Sequence, residues 1–367
     1  MSKGGRYARK KEKKPLGGKK IILIAIAVVL VLIIAAVIAG VVYYNSMLNL
    51  INRPTSISVA TMSAEEEAAM LGTIPAETTE ETTEATTIAT EPMTPEENVV
   101  NIMLVGQAAR EGETYRLSDT MMLCSINRSE MTLTLTSFQR DMRVVIPAYA
   151  GHTQGFNRMN VCYHLGSYWT GEVSGSMELL AMAIEQNFGV KVDHTIEVDF
   201  EAFKKVVNLL GGVDIEITEA EANYMNLDDY IDIEPGLNHL NGHEALVYAR
   251  MRKIDSDFKR TSRQRTVIMK LLEKCLSMDL ATANSMLTEL LPMITTDMTN
   301  EQITSYVLEF LPKLGSLEIA QQSVPFDGTY WSTNAGTEDV PDWVIDANLT
   351  KNKELLLESI GMLTTEE

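Results

Sequence analysis

Residues 195–217 read TIEVDFEAFKKVVNLLGGVDIEI, and this stretch determines the fold class that we predict. Thr195–Val198 and Val213–Ile217 have the short apolar composition of strands. Between them, Phe200–Leu210 is predicted to be a helix that two consecutive glycines end. A strand, a helix and a strand in succession are typical of an α/β layered domain.

Three more strands and three more helices are predicted around this unit, and one of these helices opens near Asn241. Val99–Gly106 is a short apolar run ending in glycine, Thr120–Ile126 is apolar and β-compatible, and Met131–Thr136 alternates with period two. One helix is expected to begin after a capping Ser176, and the last core helix runs from about 257 to 276. We therefore expect an α/β fold with a central mixed sheet and helices on both faces.

The domain carrying the chemistry is predicted over residues 99–276. Residues 277–367 contain two further helical stretches, Ala281–Leu291 and Asn300–Leu314, and a strand candidate at Leu317–Gln321. Length permits this segment to complete the same domain or to form an addition to it. We assign it as a C-terminal helical extension and tail.

The charge distribution excludes one large class of function. The 367 residues carry 31 Lys and Arg against 50 Asp and Glu, a formal net charge of −19. Residues 1–20 hold nine basic side chains and one glutamate, so they carry +8 and the remaining chain −27. So acidic a body argues against binding duplex nucleic acid, because neutralisation of phosphates supplies most of that affinity.

An uncharged run near the N-terminus predicts a membrane anchor. Residues 21–42 read IILIAIAVVLVLIIAAVIAGVV, long enough to cross the hydrocarbon core of a bilayer. We predict a single transmembrane helix over 21–44, with the basic tail 1–20 in the cytoplasm and the main domain extracellular, at the cell membrane. A cleaved signal peptide is the alternative, but the apolar run exceeds the usual length of such a segment.

The next segment, 45–98, is predicted to be an acidic, Thr/Glu-rich extracytoplasmic linker. Residues 61–97 contain ten glutamates and no Lys or Arg. Such a composition cannot bury enough apolar surface to offset the entropy of ordering.

The segment richest in basic residues within the predicted domain is 250–265, which contains seven Lys and Arg and two Asp. At 100° per residue, Arg260 and Gln264 share one helix face with apolar residues, so we expect both to point inward. Arg263 and Arg265 are expected to be surface charges. An inward arginine needs an anionic partner or a bound ligand. A ligand is the favoured interpretation and a structural salt bridge the alternative.

A second constellation lies at the ends of two predicted strands, in Arg116–Thr120 and Ser137–Arg143. Ligands bind at strand ends in α/β sheets. An aspartate that holds Mg²⁺ and arginines that bind phosphate oxygens are the groups that phosphoryl transfer requires.

The order of these motifs resembles the LytR-CpsA-Psr family. The resemblance covers roughly 99–275 and rests on Asn101–Gln107, Ser118–Leu123, Ser137–Arg143, Arg158–Asn160, Val198–Phe203, Leu210–Asp214, His239–Arg250 and Asp257–Gln264. It implies a cell-wall ligase, mostly of Gram-positive bacteria, that transfers teichoic acid, capsule or another glycopolymer from a polyprenyl-pyrophosphate carrier to peptidoglycan. It also implies Mg²⁺ and an apolar tunnel for the lipid between the sheet and the helices.

The resemblance also implies roles for individual residues. Asp119 would be the Mg²⁺ ligand. The residues implied to act in catalysis, by binding the pyrophosphate or supporting the arginines that do, are Arg140, Arg250, Arg252, Asp257, Arg260 and Gln264. Substrate binding is assigned to Arg116, Asp141, Arg158 and Asn160. Asp141 and Asp257 are the two candidates for general base.

Two positions depart from the family pattern. Ala108 stands where a second metal-associated Asp is typical, and Leu117 stands where an Arg precedes Ser-Asp. Arg116 is one residue away and would substitute through a shift of the loop. We favour retained activity with Mg²⁺ held by Asp119, water and phosphates. The alternatives are a non-catalytic binder of polyprenyl-pyrophosphate glycan and a cell-envelope regulator.

Overall fold

The computed structural model describes residues 40, 42–54, 70–72, 98–107, 117–276, 280–336 and 340–363. The predicted tail and most of the predicted membrane helix and linker lie outside these residues, as do Ala108 and Arg116. Within the described ranges, no helix is both long enough and apolar enough to cross a bilayer. The chain divides into two units at Asn49, and the second unit contains the predicted domain.

The second unit has this order of strands and helices. The strands are β1 (Val99–Gln107), β2 (Ser118–Asn127), β3 (Thr132–Phe138), β4 (Arg143–Ile146), β5 (Gly155–Arg158), β6 (His194–Asp199), β7 (Val213–Ile217), β8 (Gly236–Leu240), β9 (Ile294–Thr296), β10 (Glu318–Val324), β11 (Tyr330–Asn334) and β12 (Trp343–Ala347). The helices are α1 (Met159–Thr170), α2 (Val173–Phe188), α3 (Phe200–Leu209), α4 (Glu219–Met225), α5 (Gly242–Arg250), α6 (Asp257–Leu276), α7 (Leu280–Leu290), α8 (Asn300–Phe310) and α9 (Leu349–Ser359).

The central sheet has six strands in the order β10-β3-β2-β1-β6-β9. β1 is antiparallel to β2 and parallel to β6, whereas β3 is antiparallel to β2 and parallel to β10. The prediction of an α/β fold with a central mixed sheet is confirmed.

Both faces of this sheet are covered because successive side chains along a strand point to opposite sides. Met121 packs with residues of α1, α2 and α9 in one apolar cluster. The next residue, Met122, packs on the other face against Ile268 and Leu272 of α6.

A second apolar core lies beyond α6. It is formed by the hairpin β7–β8 with α3, α4 and α5, and Val267 of α6 is fully buried in it. Because α6 packs on two sides, its polar residues also become buried: Arg263 is 6% and Arg265 8% exposed. The expectation that these two arginines are surface charges is therefore wrong.

Two further differences concern bounds. The helix expected to start after Ser176 begins at Val173, and Ser176 is buried within its first turns.

A Cβ on Gly166 would lie 2.0 Å from the carbonyl oxygen of Gly175, so glycine at 166 allows α1 and α2 to pack closely. Residues 277–367 are not only helical, since they supply β9 and β10, which pair with β6 and β3 and form the two edge strands of the central sheet.

Candidate functional site

An apolar cavity of about 220 Å³ lies between the sheet and the helices α3, α5 and α6. Its walls are mainly aliphatic and aromatic, and include Leu104, Phe203, Val206, Leu246 and Ile268. Such a lining suits a hydrocarbon group. A hydrocarbon chain would gain free energy there by leaving water.

One part of the cavity lining is polar and contains Asp119, Arg250 and Gln264, three of the residues assigned from the sequence. Asp119 reaches this position through a β-bulge. Gly106 pairs with Thr120 and Gln107 with Ser118, so Asp119 is the extra residue on its strand. Bulges re-aim a side chain in this way and occur often beside functional sites.

Asp119 is the first member of a network of ion pairs. Arg140, two residues after β3, donates a hydrogen bond to its carboxylate. The Arg140 Nε also lies 3.5 Å from Asp141 Oδ2. Burial opposes the charge of Arg140, but Asp141, Asp119 and Asp257 outweigh it and raise the pKa of its guanidinium. Arg140 therefore stays charged while partly withdrawn from water.

Asp141 is the centre of this network. Its carboxylate accepts a hydrogen bond of 2.9 Å from Arg252, and its Oδ1 lies 3.6 Å from the Nε of Arg158. Arg252 follows α5, while Arg158 ends β5. Asp141 therefore links the hairpin β4–β5 to the segment that follows α5 of the second core.

Asp257, the first residue of α6, links two of the arginines implied by the resemblance, Arg252 and Arg260. It accepts from Arg260 at 3.0 Å and lies 3.1 Å from the Nε of Arg252. Burial raises the pKa of Asp257 although both arginines oppose that shift, and burial lowers the pKa of Arg260. Arg260 is only 2% exposed, so the inward direction predicted for it is confirmed.

Arg250 and Gln264 lie at the boundary between the cavity and this network. The guanidinium of Arg250 stacks over the ring of Phe200, 4.4 Å from its centroid. The Nε2 of Gln264 donates to the carbonyl of Ala249 at 3.4 Å, which leaves its buried Oε1 without a partner among the described residues.

Several other buried polar atoms near these strand ends also lack a partner within the described ranges. They are the Nε of Arg260, the Nε2 of Gln107, the Oγ of Ser118 and the Oδ1 of Asn160. A buried polar atom without a hydrogen bond is unfavourable by about 1–3 kcal/mol. Such a set is consistent with a polar ligand that supplies the missing bonds.

The structure thus joins seven of the predicted residues in one network, namely Asp119, Arg140, Asp141, Arg158, Arg252, Asp257 and Arg260. Asn160 lies beside it, since its backbone N–H donates to the carbonyl of Arg140. Arg116 is outside the described residues.

Sequence reasoning missed two contributors. Phe200 supports Arg250, and Asp342 accepts a hydrogen bond from Arg158 across 184 positions of sequence. No local pattern could indicate a carboxylate as distant in sequence as Asp342.

The donor set around Asp119 allows one kind of metal site. Among the described residues, no group of three or more His, Cys, Asp or Glu side chains could hold a metal ion. A carboxylate beside a cluster of arginines fits Mg²⁺, which commonly uses one or two carboxylates, water and substrate phosphates. It does not fit an ion held by protein ligands alone.

The sequence profile of the LytR_cpsA_psr family matches residues 61–352. The polyisoprenyl-teichoic acid–peptidoglycan teichoic acid transferase TagT of Bacillus subtilis is 32% identical over 191 residues, which cover 50% of this chain and 55% of that protein. Biofilm regulatory protein A of Streptococcus mutans is 29% identical over 267 residues, covering 68% of this chain and 59% of that protein. The chain thus spans little more than half the length of these curated relatives.

A solved structure of TagT, described with bound octaprenyl pyrophosphate lipid, has a TM-score of 0.52 and 22% identity to this chain. The match covers 73% of this chain and 92% of that one. At this identity the likeness shows the fold alone.

Proposed function

Because this chain belongs to the LytR-CpsA-Psr family, we propose that it is a phosphotransferase that moves a glycopolymer from a polyprenyl-pyrophosphate carrier to peptidoglycan. One observation supports this proposal above the others: Asp119 lines the apolar cavity and is also paired with Arg140 of the arginine network. Arg250 and Gln264 line the same cavity. A ligand that is hydrocarbon at one end and doubly phosphorylated at the other matches both parts. Relatives named as teichoic acid transferases give the reaction its class.

The residues divide the substrate between them. A segment of the isoprenoid chain would occupy the cavity along Phe203, Val206 and Leu246. The pyrophosphate would accept hydrogen bonds from Arg250 and from arginines of the network. Guanidinium groups bind phosphate oxygens in pairs, so the orientation of the phosphates would be fixed as well as their charge neutralised.

The reaction exchanges one P–O bond for another. A hydroxyl of peptidoglycan attacks the glycan-proximal phosphorus, and the bond from that phosphorus to the bridging oxygen breaks. The products are a phosphodiester between glycopolymer and peptidoglycan, and polyprenyl phosphate. The arginines stabilise the charge that develops on the phosphate oxygens.

The hydroxyl proton must pass to a base, and we propose Asp257 over Asp141. Both carboxylates belong to the network, but burial raises the pKa of Asp257, and a raised pKa makes a carboxylate a better proton acceptor. Asp141 accepts from Arg252 and lies beside Arg140 and Arg158. We assign it the role of holding those arginines in position.

Asp119 would hold the magnesium ion together with phosphate oxygens and water. When bound, Mg²⁺ would neutralise part of the pyrophosphate charge. Arg140 donates a hydrogen bond to Asp119 in this structure. With Asp119 engaged by the metal, the guanidinium of Arg140 would be available to donate a hydrogen bond to a phosphate oxygen.

We also propose that residues 21–44 anchor the protein in the cell membrane, with the domain outside. This rests on the uncharged run at 21–42 and on the nine basic side chains before it. Protease added to intact protoplasts should degrade the domain. Protection until lysis would contradict the topology.

The function is tested by incubating the purified full chain with a lipid-linked glycopolymer, Mg²⁺ and peptidoglycan, and measuring polymer bound to peptidoglycan. Arg260→Ala should abolish transfer. Lys259→Ala is the matched control, since Lys259 is the preceding residue and is exposed. Lipid binding without turnover in the unaltered chain would favour the non-catalytic alternative.

A further inference from the structure

One arginine of α6 lacks the acidic partner that the other two have. Arg260 pairs with Asp257, and Arg263 pairs with Glu221. Arg265 is only 8% exposed, and burial lowers the pKa of its guanidinium with no carboxylate of the described residues acting against that shift. A buried charge without a counter-charge is unfavourable. Arg265 therefore requires an anion from outside the described part of the chain.

The polar atoms next to Arg265 lie on the face of the sheet that α6 covers. Its Nη1 donates to the Oγ of Ser323 at 2.9 Å, while its Nε has no partner among the described residues. Ser323 of β10 lies beside Ser137 of β3 in the register of these parallel strands. Leu133 and Leu135, at alternate positions before Ser137, pack against α6, so Ser137 points to the same side. Arg265 thus lies over two neighbouring serines.

Gln139 extends this group, which we call the Arg265 cluster. The Nε2 of Gln139 donates to the Oγ1 of Thr261 at 3.1 Å, and Thr261 lies one turn before Arg265 on α6. Gln139 is 0% and Ser137 1% exposed, and their Oε1 and Oγ atoms have no partner within the described ranges. The Arg265 cluster therefore has two unused donors, Arg265 Nε and Ser137 Oγ, and one unused acceptor, Gln139 Oε1.

The Arg265 cluster lies at the end of the sheet where the ion-pair network begins. Ser137 and Ser323 are the last residues but one of β3 and β10. Arg140, which pairs with Asp119 in the network, follows Gln139 directly. Ligands of α/β sheets bind at the carboxyl ends of strands. The Arg265 cluster therefore borders the network without sharing its ion pairs.

The unused atoms restrict the class of ligand. Water would satisfy hydrogen bonds but would leave the charge of Arg265 uncompensated. A halide ion or an ionised carboxylate supplies charge but has no hydrogen to donate to the Oε1 of Gln139. Inorganic phosphate or a phosphate monoester supplies both, because a second pKa of about 6 lets one oxygen keep a proton while others are anionic. A phosphodiester has no such proton.

We propose that the Arg265 cluster binds a phosphate group that carries a P–O–H, either inorganic phosphate or a phosphate monoester. The Nε of Arg265 and the Oγ of Ser137 would donate to an anionic oxygen, and the P–O–H would donate to Gln139. Polyprenyl phosphate, the product of the proposed reaction, is such a monoester, and only its place as a source of the ligand rests on the proposed function. The site itself rests on burial, charge and unused hydrogen-bonding atoms.

The test measures binding of inorganic phosphate to the purified full chain by titration calorimetry. Arg265→Met should weaken binding about 10- to 150-fold because a charged hydrogen bond is lost, and Ser137→Ala about 2- to 10-fold because a neutral one is lost. Lys270→Met is the matched control, since it removes a lysine of the same helix whose side chain is 40% exposed. It should bind phosphate as the unaltered chain does. Dimethyl phosphate, a diester, should bind the unaltered chain more weakly than inorganic phosphate does.

Thermal unfolding shows whether Arg265→Met is still folded. In phosphate-free buffer this variant should unfold at a temperature no lower than that of the unaltered chain, because an uncompensated buried charge has been removed. Phosphate should raise the unfolding temperature of the unaltered chain but not that of the variant, since binding stabilises the native state by mass action. A variant that unfolds at a lower temperature without phosphate would contradict the claim that Arg265 lacks a partner.

Arg260→Ala separates the Arg265 cluster from the network. It should lose the polyprenyl-pyrophosphate donor and keep the phosphate binding that depends on Arg265. Phosphate binding that is lost with Arg260→Ala and kept with Arg265→Met would place the phosphate in the network and overturn the proposal, as would absence of phosphate binding to the unaltered chain. Donor binding that survives Arg260→Ala would count against the proposed function, a different result from failure of the Arg265 cluster.

Farnesyl phosphate, a soluble isoprenoid monoester, identifies the source of the ligand. If its affinity falls with Arg265→Met, the site takes the lipid product of the proposed reaction. If only the affinity for inorganic phosphate falls, the site takes free phosphate. Unchanged affinity for both probes in Arg265→Met would overturn the proposal.

Discussion

Arg263 offers the sharpest contrast with the arginines of the site, because its partners identify it as structural. Its Nε donates to Glu221 at 2.6 Å, and it also pairs with Asp255 and donates to the carbonyl of Met251 at 3.2 Å. The side chains of Arg263 and Glu221 are 7% and 11% exposed. Arg263→Ala should therefore leave a buried carboxylate unpaired.

The size of the effect follows from this burial. Removing one partner of a buried ion pair is unfavourable by about 3–5 kcal/mol, and exposure here is too small for solvent to screen the loss. Replacing both residues with apolar ones, as in Glu221→Leu with Arg263→Met, should recover most of that stability because no charge is left unpaired. Urea denaturation of the purified chain in detergent, followed by intrinsic fluorescence, measures both changes.

The pH dependence gives a second readout. Burial alone would raise the pKa of Glu221, but hydrogen bonds from Arg263 and Thr218 outweigh it and hold that pKa below its ordinary value of 4.5. A lowered pKa contributes stability above pH 4.5 that is lost as pH falls through the folded-state pKa. The difference between Arg263→Ala and the unaltered chain should hence shrink in acid. A loss under about 1 kcal/mol at pH 7, or one that does not change with pH, would refute the reasoning.

Three more predictions concern the site. Arg260→Ala should weaken binding of polyprenyl pyrophosphate about 10- to 150-fold, as measured by calorimetry, because a charged hydrogen bond is lost. Lys259→Ala should leave that binding unchanged. Equal losses in the two variants would show that Arg260 does not bind the pyrophosphate. Asp257→Asn should lower the transfer rate about 10²- to 10⁴-fold. It should also remove the fall in rate at low pH that accompanies protonation of Asp257, whose pKa burial raises above the ordinary 3.8. If the variant kept that fall in rate at low pH, the base would be a different residue. Ala108→Asp should lower the Mg²⁺ concentration needed for half-maximal transfer, since a second oxygen ligand would join Asp119, and unchanged metal dependence would reject the idea that the site lacks one ligand.

The sequence allowed much of the sheet and of the arginine cluster to be predicted. The apolar residues of strands such as Val99–Gln107 and Val213–Ile217 match the positions that are buried in the structure. The bounds predicted for these strands were therefore correct to within a residue or so. The inward direction of Arg260 followed from the helical repeat, because Gln264 and Leu271 on the same face line the cavity.

The helical repeat gave a wrong prediction of exposure for Arg263, because it was applied on the assumption that the helix has a single buried face. α6 lies between two cores, and nothing in its own residues shows that a second core will cover the opposite side. The hairpin β11–β12 was likewise missed. Its strands alternate polar and apolar residues weakly, and its position depends on pairs such as Arg143 with Asp346, which are 203 residues apart.

The central claim is that the hydroxyl of peptidoglycan attacks the glycan-proximal phosphorus of a carrier whose lipid lies in the cavity. It is tested most directly with a donor labelled with ³²P at that phosphorus, incubated with the full chain, Mg²⁺ and peptidoglycan. The account predicts that the label enters peptidoglycan in a phosphodiester while unlabelled polyprenyl phosphate is released in equal amount. Label that stays in the lipid fraction while the donor remains bound would contradict it.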